Sequence, residues 1–207
     1  MKKLLFVLAL LGAANQSVQA QHHNHHQDHD KEKTTNIKSV YLSMMDKMMI
    51  DMEKAPLGQN PGMAFLYQMI PHHEGAVEMA EYEIAHCKNP EMIQLAKSIL
   101  VEQKSEIEQM KHWISEGKKV HPVPASFISD MNETMETMMK NMPEESTLDD
   151  SDKSFAAVMK PHHQAAIDMA KVLIRYEQDS IICSYAKLLI SNQQIEINQM
   201  SNFLSSK

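Results

Sequence analysis

The sequence predicts an all-α fold: a four-helix bundle assembled from two repeats of about ninety residues, each with an added short methionine-rich helix. Three observations predict it. Glycine is scarce, at 5 residues in 207, and β-branched runs are few, which favours helix over sheet. Apolar residues recur with a helical period between clear breakers. The chain also falls onto itself without a gap when shifted by ninety residues.

The self-match is dense. FLYQMIPHHEGAVEMA at 65–80 lies over FAAVMKPHHQAAIDMA at 155–170, so that Phe65, Met69, Pro71, His72, His73, Ala76, Met79 and Ala80 recur as Phe155, Met159, Pro161, His162, His163, Ala166, Met169 and Ala170. Downstream, Gln103, Glu106, Ile107, Gln109 and Met110 recur as Gln193, Glu196, Ile197, Gln199 and Met200. Upstream, Met45, Met48, Met49 and Met52 recur as Met135, Met138, Met139 and Met142. A core needs volume and tolerates exchange of Leu for Met, so packing alone does not explain why a His pair stands in both copies.

The elements follow in order. Residues 1–20 read as a secretory signal peptide: Lys2 and Lys3, then an apolar run, then Val18-Gln19-Ala20 with cleavage after Ala20. No cysteine stands at that site, so a lipid anchor is not expected. Residues 21–36 are polar and His-rich, without apolar period, and are expected to be disordered. Repeat 1 (37–121) predicts helices over 37–54, 62–87 and 90–116, and repeat 2 (122–207) over 124–142, 152–178 and 180–205. Pro56, Gly58, Pro61 and Gly62 break the first connection; Asn89-Pro90 and Asp179-Ser180 break the long pairs and offer N-caps. Gly117, Pro122 and Pro124 mark the boundary between repeats. One hairpin cannot bury its apolar stripe, so the two repeats are expected to pack as one bundle.

Charge and compartment exclude several functions. The net charge of -7 becomes -9 once Lys2 and Lys3 are removed, which disfavours nucleic acid and anionic membranes as partners. No other apolar run reaches the roughly 18 residues of a spanning helix. The mature protein is expected in the periplasm or secreted. Its two cysteines, Cys87 and Cys183, could pair in such a compartment, but sequence leaves their proximity open.

The chemistry lies in 19 methionines and 12 histidines. On a helical wheel Met69, His72, His73, Ala76, Met79 and Ala80 fall within roughly 120°, and Met159, His162, His163, Ala166, Met169 and Ala170 repeat that arc. The alanines leave room where the donors converge. Glu83 shares the first arc, but its counterpart is Leu173. Proline precedes each His pair: in a continuous helix Pro71 frees the carbonyl of Tyr67 and Pro161 that of Ala157, or else the helix starts at the proline.

Thioether with imidazole suits Cu(I) and Ag(I), and histidine extends the set toward Cu(II). The short helices add Met45, Met48, Met49 and Met52, and Met135, Met138, Met139 and Met142; Met45, Met49 and Met52 are expected on one face, as are Met135, Met139 and Met142. His22, His23, His25, His26 and His29 form a flexible tail suited to loose Cu(II) capture. Each feature has a plainer reading. A methionine stripe at helical spacing is usually core filler, and the tail is equally a solvated leader. His86, His112 and His121 have no copy and read as ordinary residues. Gln103, Glu106, Gln193 and Glu196, with Met110 and Met200 beside them, fit partners behind the histidines or simple interhelical hydrogen bonds.

The pattern Met-x-Pro-His-His-x-x-Ala-x-x-Met-Ala, followed by Gln-x-x-Glu-Ile-x-Gln-Met, resembles the bacterial family known as domain of unknown function 305, and within it the CopM-like periplasmic copper-binding proteins. The resemblance covers nearly all of the mature chain, since the motif occurs once per repeat. It implies a ferritin-like helical bundle in a secreted protein. It further implies that Met69, His72, His73 and Met79 form one copper-ligand group, partnered by Met159, His162, His163 and Met169.

Copper binding for sequestration, trafficking or tolerance is therefore the leading expectation, with another copper carrier or an efflux component as partner. Two alternatives stand beside it. A ferritin-like iron or manganese enzyme needs Glu-x-x-His from two helices; Glu83 and His86 match once, but the repeat reads Leu173 and Tyr176. A bundle that docks a partner would use the methionines as an adaptable apolar surface. Neither a nucleophile–base arrangement nor a phosphate loop is visible, so the chain reads as a binding protein and not an enzyme. Imidazole ligates only when neutral, so copper affinity at the histidines should weaken below about pH 6.5.

Overall fold

The computed structural model describes residues 37–117, 122–148, 150–177 and 180–206. The expected signal peptide, the tail histidines His22 to His29, His121 and the Asp179 cap lie outside them. The described residues form α1 (Ile37–Glu53), α2 (Pro61–His86), α3 (Pro90–Glu116), α4 (Ala125–Lys140), α5 (Ser151–Tyr176) and α6 (Ser180–Ser205). A 3-10 turn at Glu145–Thr147, which helical periodicity does not reveal, precedes α5. The fold is all-α, and each helix ends within two residues of its expected limit.

Caps and breakers set those limits. Asn60 Oδ1 accepts the N–H of Met63 at 2.7 Å, and Asn89 Oδ1 accepts those of Glu91 and Met92 at 2.9 and 3.2 Å. Asp150 Oδ1 does the same for Lys153 at 2.8 Å. Pro61 and Pro90 take the first helical position, where no N–H is needed. Gly58 has φ +73°, and a Cβ there would stand 2.5 Å from the backbone nitrogen of Ala64, so only glycine fits this turn. Pro71 and Pro161 lie inside α2 and α5, so both helices run through their His pairs. The alternative of a helix starting at each proline is set aside.

Helices α2 and α5 form the central layer. They run antiparallel: the N–H of Gly62, at the start of α2, donates to Glu177 Oε2 beyond the end of α5 at 2.9 Å. At the other end, the N–H of Asn89 donates to Asp152 Oδ1 in the first turn of α5, also at 2.9 Å. Helix α3 folds back on α2 and α6 on α5, completing the four-helix bundle. Asn192 of α6 donates to Glu102 of α3 at 2.7 Å, a contact between residues ninety apart that marks a near-twofold axis.

Helices α1 and α4 cover the other side. Met48 of α1 packs onto Gly75, where an added Cβ would meet Met48 Cγ at 2.8 Å and Sδ at 2.9 Å. The equivalent residue of α5 is Ala165. There Met138 of α4 borders a cleft of about 370 Å³ that also touches Pro161, Gln164 and Leu204.

Two expectations about the methionine helices need correction. On α1 the buried stripe is Tyr41, Met45, Met48 and Met52, with Met49 only half-buried. On α4 the inward residues are Phe127, Met131 and Met138; Met135 is half-buried and Met139 exposed, and Met142, just past the helix end, is half-buried. Apolar residues outside the methionine motif, Tyr41 and Phe127, rotate each helix about its axis and so choose the face.

Candidate metal centre

The four duplicated histidines meet at the middle of the bundle. His72, His73, His162 and His163 are all fully buried, as are Met69, Met79, Met159 and Met169. The rings of His72 and His162 stack across the α2–α5 contact with centroids 3.8 Å apart and planes 29° apart. His73 and His163 turn outward to the flanking helices. His73 Nε2 donates to Glu106 Oε2 on α3 at 2.7 Å, and His163 Nε2 donates to Glu196 Oε2 on α6 at 2.7 Å. The residues expected behind the histidines thus include two hydrogen-bonded carboxylates.

Many polar atoms in this core have no hydrogen-bond partner. They are both ring nitrogens of His72, the Nδ1 atoms of His73, His162 and His163, both amide atoms of Gln103, and Gln193 Oε1. Buried polar groups are nearly always satisfied, and an orphan costs about 1–3 kcal/mol. Here such atoms gather at one place. With Nε2–H held by a carboxylate, Nδ1 of His73 and of His163 carries the ring's lone pair. This is the arrangement that metal-binding histidines use, with the far nitrogen tied to an acid. The donor set therefore fits a soft or borderline metal ion.

Burial also sets the charge. Desolvation holds His72 and His162 well below the ordinary imidazole range, and neighbouring imidazoles add to the effect. Neutral imidazole is the form that ligates.

The first-half histidine has one more neighbour. The hydroxyl of Tyr185 lies 3.4 Å from His73 Nε2 and from Glu106 Oε2, and 3.7 Å from Met110 Sδ. Repetition does not reveal Tyr185, because its ninety-residue counterpart is Leu95. The signal was its place on the same helical stripe as Leu189, Gln193, Glu196 and Met200, all of them buried.

The remaining candidates lie elsewhere. Met49, Met52, Met135 and Met139 line a surface groove between α1 and α4. Met52, Met131, Met135 and Met169 line a smaller cleft of about 70 Å³. Met45, Met48 and Met138 are packed core, where burial contributes about 1.5–3 kcal/mol per side chain without any metal. Met110 and Met200 are fully buried. His86 stacks on Tyr82 at the surface, and His112 pairs with Glu116 at 3.5 Å.

The Cys87–Cys183 pairing is not made. Cys87 Sγ lies 3.0 Å from Ser151 Oγ, whereas Cys183 Sγ donates to the carbonyl of Glu177 at 3.2 Å. Glu177 meets the start of α2 and Cys87 caps its end. A rise of about 1.5 Å per residue over that helix separates the thiols by roughly 35 Å. A disulfide needs Cα atoms within about 7 Å.

An all-helical bundle with paired, acid-backed histidines at its centre defines the fold and its candidate site. The chain belongs to the DUF305 family, "Domain of unknown function", whose sequence model matches it twice, over residues 6–114 and 116–204. Among solved structures, CopM in its Cu(II)-bound form is 30% identical, covers 69% of this chain and 96% of its own, and superposes with a TM-score of 0.53. CopM in its Cu(I)-bound form is 29% identical, with a TM-score of 0.52 and coverage of 69% and 94%. A DUF305 protein from Streptomyces coelicolor shares the fold at 22% identity, a TM-score of 0.55 and coverage of 71% and 92%. An uncharacterized protein, L153, of Acanthamoeba polyphaga mimivirus is 37% identical over 54 residues. That match takes in 26% of this chain and 36% of the viral protein's length. Among the described residues, no helix is long and apolar enough to cross a membrane.

Proposed function

We propose that this protein binds copper outside the cytoplasm, Cu(I) in preference, and holds or hands on the ion without catalysing a reaction. The observation that carries the proposal is the cluster of unpartnered imidazole nitrogens on His72, His73, His162 and His163, two of those rings backed by Glu106 and Glu196. The likeness to CopM, whose structures include Cu(I)- and Cu(II)-bound forms, supports copper as the ion. Thioethers in the groove between α1 and α4 would take the ion at the surface, and the histidines would hold it within. A di-iron or di-manganese enzyme gains no support, because Glu83 is buried whereas His86 is exposed, and the second repeat carries Leu173 and Tyr176 in their places.

The test is an anaerobic Cu(I) titration against a chromophoric chelator, run beside a variant with all four histidines changed to alanine. Tight binding lost in the variant sustains the proposal. Equal binding by both moves the site to the methionine groove, and no binding by either overturns the copper reading.

A further inference from the structure

One cluster of metal-binding side chains stands apart from the histidine core and has no copy in the second repeat. It lies at the end of the bundle where α2 stops and α5 begins. The Cys87 sulfur and one carboxylate oxygen each of Glu83 and Asp152 lie within 4.8 Å of one another. The ninety-residue counterparts of Glu83, Cys87 and Asp152 are Leu173, Glu177 and Gly62. Repetition therefore could not have drawn attention to these residues.

Glu83 makes the cluster more than a chance meeting of acids. It is fully buried, its Oε2 accepts the Tyr41 hydroxyl at 2.5 Å, and its Oε1 has no partner. Tyr41 is itself fully buried, and its ring packs against Phe155 and Tyr82. The carboxylate is thus oriented by a rigid donor, with one oxygen left over. Cys87 and Asp152 are only half-buried, so the cluster opens to solvent on one side.

We propose that Glu83, Cys87 and Asp152 form a second metal site, for a divalent cation of borderline softness such as Zn²⁺, with water completing the shell. A thiolate argues against Ca²⁺ and Mg²⁺, which take oxygen ligands. Two carboxylates argue against Cu(I), which prefers thioether and thiolate. One sulfur, two oxygens and an open position suit tetrahedral Zn²⁺. Its bonds of about 2.0–2.3 Å place neighbouring ligand atoms roughly 3.3–3.8 Å apart, so side-chain rotation of about an ångström closes the cluster. Burial pushes the Glu83 carboxyl up to about 7 and the Cys87 thiol up to about 11. Ion binding would therefore release the thiol proton, and the remaining carboxyl proton, to solvent.

The test uses Co²⁺ as a coloured stand-in for Zn²⁺, added to the reduced, metal-free protein. The expected result is a thiolate-to-Co²⁺ charge-transfer band in the near ultraviolet that saturates at one equivalent and vanishes on adding Zn²⁺. The band should persist in C183S, disappear in C87S, and require about tenfold or more Co²⁺ in E83Q, which keeps both thiols and the Tyr41 contact. Absence of the band in the parent protein overturns the proposal. So does its survival in C87S, or equal Co²⁺ affinity in E83Q, which decides the matter even where C87S does not fold.

Discussion

The imidazole of His162 donates from Nε2 to the backbone carbonyl oxygen of His72 at 3.0 Å, and His72 does not return the contact. Two residues that match in sequence, stacked face to face, are thereby made unequal. His162 keeps one unpartnered nitrogen and His72 keeps two. If the core holds copper, H72A should weaken binding more than H162A. Competitive titration of the two single variants checks this, and equal losses would argue against it.

Glu106 and Glu196 occupy equivalent places behind His73 and His163. The double variant E106Q/E196Q should lower Cu(I) affinity by about 10- to 100-fold, the usual cost of losing an acid behind a metal-binding histidine. Y185F should act through the first half alone, since Leu95 stands at the matching place in the second. Affinity measured in Y185F and in L95Y separates the halves.

Acid should unfold the metal-free protein early. The unfolded chain takes up protons on His72 and His162 near pH 6.5, while desolvation keeps both rings neutral in the fold. Below that pH the unfolded state binds more protons, so stability falls as pH drops. The slope approaches about 1.4 kcal/mol per pH unit for each ring until its folded pKa is reached. Denaturant unfolding from pH 7.5 to 5 reads this directly, and H72Q/H162Q should flatten the curve.

G75A and A165G make a matched pair. A methyl at position 75 would enter Met48, and overpacking of this kind costs about 1–3 kcal/mol, partly offset by up to about 1 kcal/mol of helix propensity. A165G adds no atoms and should cost about 1 kcal/mol through propensity. Thermal unfolding of the two variants checks the contrast.

The thiols should titrate as two per chain in the denatured, non-reduced protein. C183A should leave stability free of the roughly 2–5 kcal/mol penalty that follows loss of a native disulfide.

Much of this was legible in the sequence because repetition and helical period report on the core. The helix limits followed from Asn89, Pro61, Pro90 and Gly117, whose local chemistry acts over one turn. The stripe of His and Met did face inward. What escaped were contacts made by unrepeated residues across helices. Tyr185 reaches His73 from α6, and Tyr41 reaches Glu83 from α1; neither encounter has a local signature. The face chosen by each methionine helix escaped for a related reason. With Met at i, i+3, i+4 and i+7, several rotations bury sulfur almost equally well, and Tyr41 and Phe127 decide among them. The thiol pairing was undecidable because it depends on α2 and α5 running antiparallel.

The closed core has a consequence for time as well as affinity. None of the four histidine side chains reaches solvent. An ion seated among them could leave no faster than the helices part, however weakly it were held. The opening rate of the fold would thus set the upper limit on release, with the strength of the ligands acting below it. If the core holds copper, filling and release would then be slow together, since both wait on the same opening.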